Sequence, residues 1–368
     1  MLFNLFKSKE VKEKGPNYFS LKVREVVKET EDTVTIYFEQ PEPYLEYKPG
    51  QYLTVLLDVD GKQERRSYSL CTSPYVDPYP GITVKRVREG VISNFLNDKI
   101  RPGKSIEVMK PMGHFILDFH SKNKTHYVMV AAGSGITPIM GLLKSVLVNE
   151  PHSGVTLIYC SRSEGQIIFR KALDELKEKY ADRLRIINNL TQPSESWDGL
   201  KGRLDAQRIK ELILQHPRPE TNDTKYLICG PTGIMQAALE ALDELGVDRA
   251  TVHKESFFIA PTGSEEKAIA TQESPLILSQ EVTVVVEGEE YQFEVAPEQT
   301  ILEAGLEEDV DMPYSCQSGL CTSCRGKLIS GKVKMDEDAG LSENELREGY
   351  VLCCVSHPLT ADVKINIE

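Results

Sequence analysis

The sequence predicts a multidomain chain: an antiparallel β-barrel, then an α/β unit on a parallel sheet, then a small α+β unit. Three observations predict it. Short β runs separated by Gly and Pro turns fill residues 18–118, strands alternate with amphipathic stretches up to about residue 258, and acidic residues and cysteines crowd the remainder. A chain of 368 residues is also too long for one ordinary domain.

The barrel is read from runs such as Thr33–Phe38, Tyr52–Leu57 and Ile82–Val87, whose spacing suits an antiparallel closed sheet. The α/β unit, placed at 119–258, is read from Tyr127–Ala132, Val155–Tyr159, Leu184–Asn189 and Tyr226–Cys229 as buried strands. The amphipathic stretches Lys171–Tyr180 and Asp205–Gln215 lie between them. Residues 259–280 lose periodicity and gain Pro, Ser, Thr and Glu, which marks a linker. The third unit, 281–368, opens with Val282–Val286 and Tyr291–Val295 around a Gly-containing turn, a β-hairpin pattern.

Residues 1–17 read as a disordered tail. Their order, apolar first and basic after, is not that of a secretory signal. The charge-free stretch Tyr127–Leu143 is broken by Gly133, Gly135 and Pro138 and falls short of a bilayer span, so it reads as a buried strand–turn–helix. A cytoplasmic protein without a membrane span is expected.

The net charge of −13 is concentrated in one place: residues 281–368 hold 19 acidic and 6 basic side chains, while the rest holds 37 of each. This asymmetry implies a separate domain with its own partner, and an acidic face excludes nucleic acid as a ligand. Cys71, Cys160 and Cys229 are scattered, whereas Cys316, Cys321, Cys324, Cys353 and Cys354 cluster in the acidic part. In a cytosolic chain, such clustering suggests metal ligation.

The spacing Cys316-x4-Cys321-x2-Cys324, then 29 residues, then Cys354 is the plant-type pattern in which four thiolates hold a [2Fe–2S] cluster. Ser315, Ser318, Gly319, Thr322 and Ser323 are small enough to turn backbone amides towards the sulfurs. A zinc site is the alternative, but zinc usually takes two short knuckles, and here the fourth cysteine stands alone.

Arg66-Ser67-Tyr68-Ser69 lies on a barrel strand, where Arg66 and Tyr68 project to one face. A guanidinium beside a phenol suits a flavin nucleotide, pairing with phosphate and packing on the ring. Ser69 can offer its hydroxyl to the reactive ring nitrogen. Val84 and Lys85 join the candidates, as does Gly90-Val91-Ile92-Ser93, whose amides open a helix and favour a pyrophosphate. Pro111-Met112-Gly113-His114-Phe115 then closes the barrel. The competing reading of Arg66 is a surface charge on a half-exposed strand.

Gly133-Ser134-Gly135-Ile136-Thr137-Pro138 follows a buried strand, permits close approach of a dinucleotide backbone, and opens a helix with its positive end towards the pyrophosphate. Cys229-Gly230-Pro231 ends a second strand at the same edge of the sheet, where ligands collect. No carboxylate follows Cys160-Ser161 to grip a ribose 2′-OH. Arg162 and Arg170 suit a 2′-phosphate instead, favouring NADPH with NADH as the alternative.

Taken together, these motifs resemble two families. R-x-Y-S, G-x-x-S, P-x-G-x-F, G-x-G-x-T-P and C-G-P occur here in the order of the ferredoxin–NADP reductase superfamily, and residues 18–258 resemble it throughout. Tyr314–Cys324 with Gly349–Cys354 and Pro358 resembles a plant-type ferredoxin over 281–368.

The resemblance implies a β-barrel FAD domain, an α/β NAD(P) domain and a β-grasp-like ferredoxin domain. FAD is favoured over FMN. It implies Cys354, before Pro358, as the fourth ligand and Cys353 as a core residue. It places Cys229 by the nicotinamide and Phe257 on the flavin with Glu255 nearby; a hydrophobic plug is the plainer reading of that segment. The order of domains resembles the reductase components of phenylacetyl-CoA epoxidase and related multicomponent monooxygenases. That implies electron delivery from NAD(P)H to an oxygenase with a basic docking patch. A hybrid-cluster protein, a dioxygenase or a desaturase is an alternative acceptor, and an iron–sulfur redox sensor is the non-enzymatic alternative.

Overall fold

The computed structural model describes residues 17–59, 62–218, 220–257, 279–338 and 340–367. Nearly all of the expected tail and of the expected linker lies outside the described residues. No described helix is long and apolar enough to cross a membrane.

The first unit contains β1 (Tyr18–Thr30), β2 (Thr33–Phe38), β3 (Tyr52–Val59), β4 (Lys62–Ser69), β5 (Gly81–Lys85), α1 (Val91–Lys99) and β6 (Ser105–Met109). Its strands run in the order β4-β3-β6-β1-β2-β5, each pair antiparallel. An antiparallel bridge from Leu70 to Ile82 joins the two edges into a barrel, which removes exposed strand edges. Leu21, Ile36, Phe38, Leu53, Leu70, Ile82 and Val108 fill its interior with no exposure. The strand expected to reach Val87 stops at Lys85. Beyond it the Val87 amide donates to Ser93 Oγ at 3.1 Å, so the chain is drawn to the start of α1.

The second unit contains β7 (Thr125–Ala132), α2 (Ile136–Asn149), β8 (Gly154–Ser161), α3 (Arg170–Lys179), β9 (Leu184–Leu190), β10 (Leu200–Lys201), α4 (Ala206–Gln215), β11 (Asp223–Gly230), α5 (Thr232–Glu244) and β12 (Val252–Ser256). Its sheet is wholly parallel, in the order β10-β9-β8-β7-β11-β12. The order reverses direction at β7, the kind of switch point where ligands bind in open α/β sheets.

The charge-free stretch Tyr127–Leu143 is explained here. β7 is buried on both faces, and α2 is buried nearly all round because the barrel covers its outer side. Ser145 Oγ donates to Ser73 Oγ at 2.8 Å across that contact, and Lys144 pairs with Asp77.

The third unit contains β13 (Gln280–Val286), β14 (Glu289–Val295), α6 (Ile301–Glu307), β15 (Arg325–Ser330), β16 (Val333–Met335), α7 (Glu343–Arg347), β17 (Tyr350–Leu352), β18 (Ser356–Pro358) and β19 (Val363–Ile367). The expected hairpin pairs Val282 with Phe293 and Val284 with Tyr291. Glu287 and Gly288 take positive φ at its turn, as a tight two-residue hairpin requires. The mixed sheet runs β14-β13-β19-β15-β17. α6 packs its buried Ile301, Leu302 and Ala304 into the core and starts at a capping box between Thr300 and Glu303.

Candidate functional site

β3 and β4 carry the centre of the site. Tyr52 at the start of β3 pairs with Ser69 at the end of β4. On β4, Arg66 is exposed, within 3.2 Å of Glu64, while Tyr68 is half-buried against the barrel core. Ser67 Oγ lies 3.1 Å from Thr54 Oγ1. α1 packs on β4 and β5, so its first residues, capped by Gly90, stand by the strands bearing Arg66–Ser69 and Val84–Lys85. Val91 is exposed, Ile92 and Ser93 are buried, and Lys85 pairs with Asp32 at 3.6 Å.

At the switch point, Gly133-Ser134-Gly135 forms a single tight turn, and α2 begins at Ile136 rather than near Pro138, which is its third residue. Thr137 Oγ1 donates back to Ser134 O at 2.9 Å. Gly135 must be glycine: a Cβ there would stand 2.1 Å from the carbonyl oxygen of Cys229. Gly133–Pro138 and Cys229–Pro231 are thus brought together as one edge. Arg162 and Arg170 are both exposed, one just after β8 and the other opening α3.

Cys229 is fully buried and pairs with Glu255 across β11 and β12. Burial pushes its thiol well up, so it stays protonated. Glu255 reaches the barrel, where Ser69 Oγ donates to its Oε2 at 3.3 Å. Glu255 is half-buried, and burial, the larger cause against the opposing bond from Ser69, pushes its pKa up to about 8. A carboxyl holding a proton near neutrality can donate to a ligand beside Ser69. Phe257 follows β12 and packs on the core around α2.

Cys316, Cys321, Cys324 and Cys354 lie together in one row. Cys316 neighbours Cys321 and Cys354, and Cys354 also neighbours Cys324. Among the described residues no three His, Cys, Asp or Glu side chains gather around a single ion position. Four neighbouring cysteines are the number of thiolates that a [2Fe–2S] cluster takes.

The Ser318 amide donates to Cys316 Sγ at 3.5 Å and the Gly319 amide bonds Cys354, the polar support a thiolate set needs. Cys353 is fully buried in the core beside it.

Six buried side-chain oxygens lack a partner among the described residues. Five of them lie in two places: Ser318 Oγ in the cysteine loop, and Ser161 Oγ, Gln166 Oε1, Asn188 Oδ1 and Asn189 Oδ1 around the ends of β8 and β9. Polar atoms without a partner at these two places fit a cluster and a nucleotide.

Sequence reasoning misses the contacts that join the third unit to the barrel. Tyr52 Oη lies 2.9 Å from Ser323 Oγ, Tyr18 Oη donates to Asp311 at 2.7 Å, and Lys110 lies 3.8 Å from Glu287. Arg65 sits 4.2 Å over the ring of Tyr314. Arg65 neighbours Arg66 but points to the opposite face and is almost fully buried.

Comparison with known proteins agrees with this layout. Residues 19–116 match the model of the oxidoreductase FAD-binding domain, 129–240 the oxidoreductase NAD-binding domain, and 284–359 the 2Fe-2S iron-sulfur cluster binding domain. The chain is 36% identical to a subunit of 1,2-phenylacetyl-CoA epoxidase from Escherichia coli, over 95% of this chain and 98% of that protein. It is 33% identical to the ferredoxin reductase component of 3-ketosteroid-9-alpha-monooxygenase from Rhodococcus rhodochrous, over 96% and 97% of the two chains. Among solved structures it is similar to phthalate dioxygenase reductase, at 25% identity and a TM-score of 0.58, covering 95% of this chain and 98% of that one.

The Glu255 environment gives a pH test. The unfolded chain loses this proton near 4.5 and the folded chain holds it to about 8. Its contribution to stability is therefore full below the first value and is lost as pH rises through the second. Glu255→Gln is expected to flatten that decline in Tm; parallel curves for the two proteins would show the carboxyl already ionised.

Proposed function

The chain belongs to the ferredoxin–NADP reductase-type oxidoreductases with a C-terminal plant-type ferredoxin domain, the family of the epoxidase and monooxygenase reductase components, and on that premise we propose that it carries electrons from NAD(P)H to an oxygenase component. The observation that carries the reading is the unbroken contact from Cys229 through Glu255, Ser69, Tyr52 and Ser323 to Cys321. All three units meet along it.

We assign 18–118 to flavin, 119–258 to nicotinamide and 281–368 to the cluster, with 259–280 as the linker. When bound, FAD would supply acceptance of a hydride from the nicotinamide, and a [2Fe–2S] cluster would supply one-electron transfer. The chain's own residues bind and align. Arg66 and the amides of Gly90–Ser93 hold the flavin phosphates, and Tyr68 covers the ring. Gly133–Pro138 with Gly230 and Pro231 hold the nucleotide at the switch point, and Phe257 shields the flavin until the nicotinamide arrives. Ser69 and Glu255 hold a proton beside the reacting rings. Cys316, Cys321, Cys324 and Cys354 hold the cluster.

The acceptor we propose is a diiron oxygenase of the phenylacetyl-CoA epoxidase type, since the chain is 36% identical to that relative and 33% to the ketosteroid monooxygenase component. Glu307, Glu308, Asp309 and Asp336–Asp338 are exposed and suit a basic docking patch, whereas Asp311 is engaged by Tyr18. Among the described residues no cysteine is paired in a disulfide, which accords with a reducing cytoplasm.

Assays with NADPH test this assignment. Cys354→Ser is expected to lose iron and transfer to the protein acceptor while keeping NADPH-to-ferricyanide activity; Cys353→Ser keeps all three. In the unmodified protein, transfer to the acceptor slows as salt rises and the ferricyanide reaction changes little. Iron loss in the Cys353 variant alone would reverse the assignment.

Arg162 is read as the partner of a 2′-phosphate. NADPH then exceeds NADH in kcat/KM, and Arg162→Ala weakens only NADPH, by about 1–3 kcal/mol. Equal use of both cofactors by the unmodified protein would remove this preference.

A further inference from the structure

Tyr52 belongs to the barrel, but its hydroxyl is spent on the third unit. It lies 2.9 Å from Ser323 Oγ, and Ser323 Oγ lies 3.4 Å from the sulfur of Cys321. Tyr52 is 4% exposed and Ser323 1%, so water does not compete for either hydroxyl. The Tyr52 ring is held against Gly113, where an added Cβ would come within 3.0 Å of two ring carbons. The phenol therefore has a fixed aim.

Chemistry sets the direction of this chain. A cysteine that ligates iron is a thiolate and can only accept. Ser323 must then give its proton to Cys321, which leaves its oxygen to accept from Tyr52. Donors in series polarise one another, so a phenol behind the serine makes the serine the better donor. A hydrogen bond to a ligand sulfur favours the more negative, reduced cluster and raises its potential.

We propose that Tyr52 is a positioning residue that tunes the iron–sulfur centre through Ser323, linking the cluster's ease of reduction to docking of the ferredoxin domain on the barrel. The inference deepens the electron-transfer reading and rests on the ligand assignment made there. The linkage is reciprocal: contact with Tyr52 eases reduction, and reduction tightens the contact by the same factor.

Anaerobic redox titration of the full chain tests it, read by the EPR signal of the reduced cluster. Ser323→Ala is expected to lower the reduction equilibrium about tenfold, about 59 mV for a one-electron couple. Tyr52→Phe, which keeps the ring and touches no ligand, lowers it about two- to threefold. Tyr52→Phe added to Ser323→Ala changes nothing further, because the relay is already cut. Additive shifts would overturn the relay, and so would an unmoved or raised potential in Tyr52→Phe. If Ser323→Ala fails to hold iron, the Tyr52 variant decides alone. Iron content of the unmodified protein separates the two claims: no iron there removes the ligand assignment, whereas a full cluster with an unmoved potential in Tyr52→Phe removes only this inference.

Discussion

Tyr52 and Ser69 face each other across β3 and β4, and the three units are organised around that pair. Ser69 holds the carboxyl of Glu255, which sits beside Cys229 on the nucleotide side; Tyr52 holds Ser323 on the cysteine side. Electron transfer weakens steeply with distance, so a chain that moves electrons between two cofactors must fix their separation. Two adjacent strands of a closed barrel are a stiff way to do so. Residues on them are placed by the backbone ladder, not by a loop.

The rest of the architecture serves this geometry. α2 is buried between the parallel sheet and the barrel, which locks the nucleotide edge to the flavin side. Asp311 and Glu287 reach back to Tyr18 and Lys110, and Arg65 stacks on Tyr314, two residues before Cys316. These contacts take a small share of the acidic surface. The larger share remains exposed on the third unit, where charge can steer a partner without disturbing the inner contacts.

Much of this is legible in the sequence because it is local. Strand periodicity, the Gly-x-Gly turn before a helix and the cysteine spacing each lie within a short window, and the structure has a barrel, a parallel sheet and a hairpin-led mixed sheet where they are expected. The long-range contacts are not legible. Tyr52 and Ser323 are 271 residues apart, and Tyr52 reads as one more apolar strand residue. Arg65 and Arg66 are equivalent in the sequence; what distinguishes them is the third unit, whose Tyr314 covers the outward-facing Arg65. Ser69 reads as a flavin contact, and its bond to Glu255 depends on how two separate units pack.

On the proposed path the cluster receives electrons within one molecule, across the contact between barrel and ferredoxin domain. Anaerobic stopped-flow mixing with NADPH tests this, following flavin bleaching and cluster reduction at several protein concentrations. Cluster reduction is expected to follow flavin reduction as a first-order step whose rate is independent of protein concentration. A rate rising in proportion to protein concentration would mean transfer between molecules, and would contradict the docked arrangement as the path.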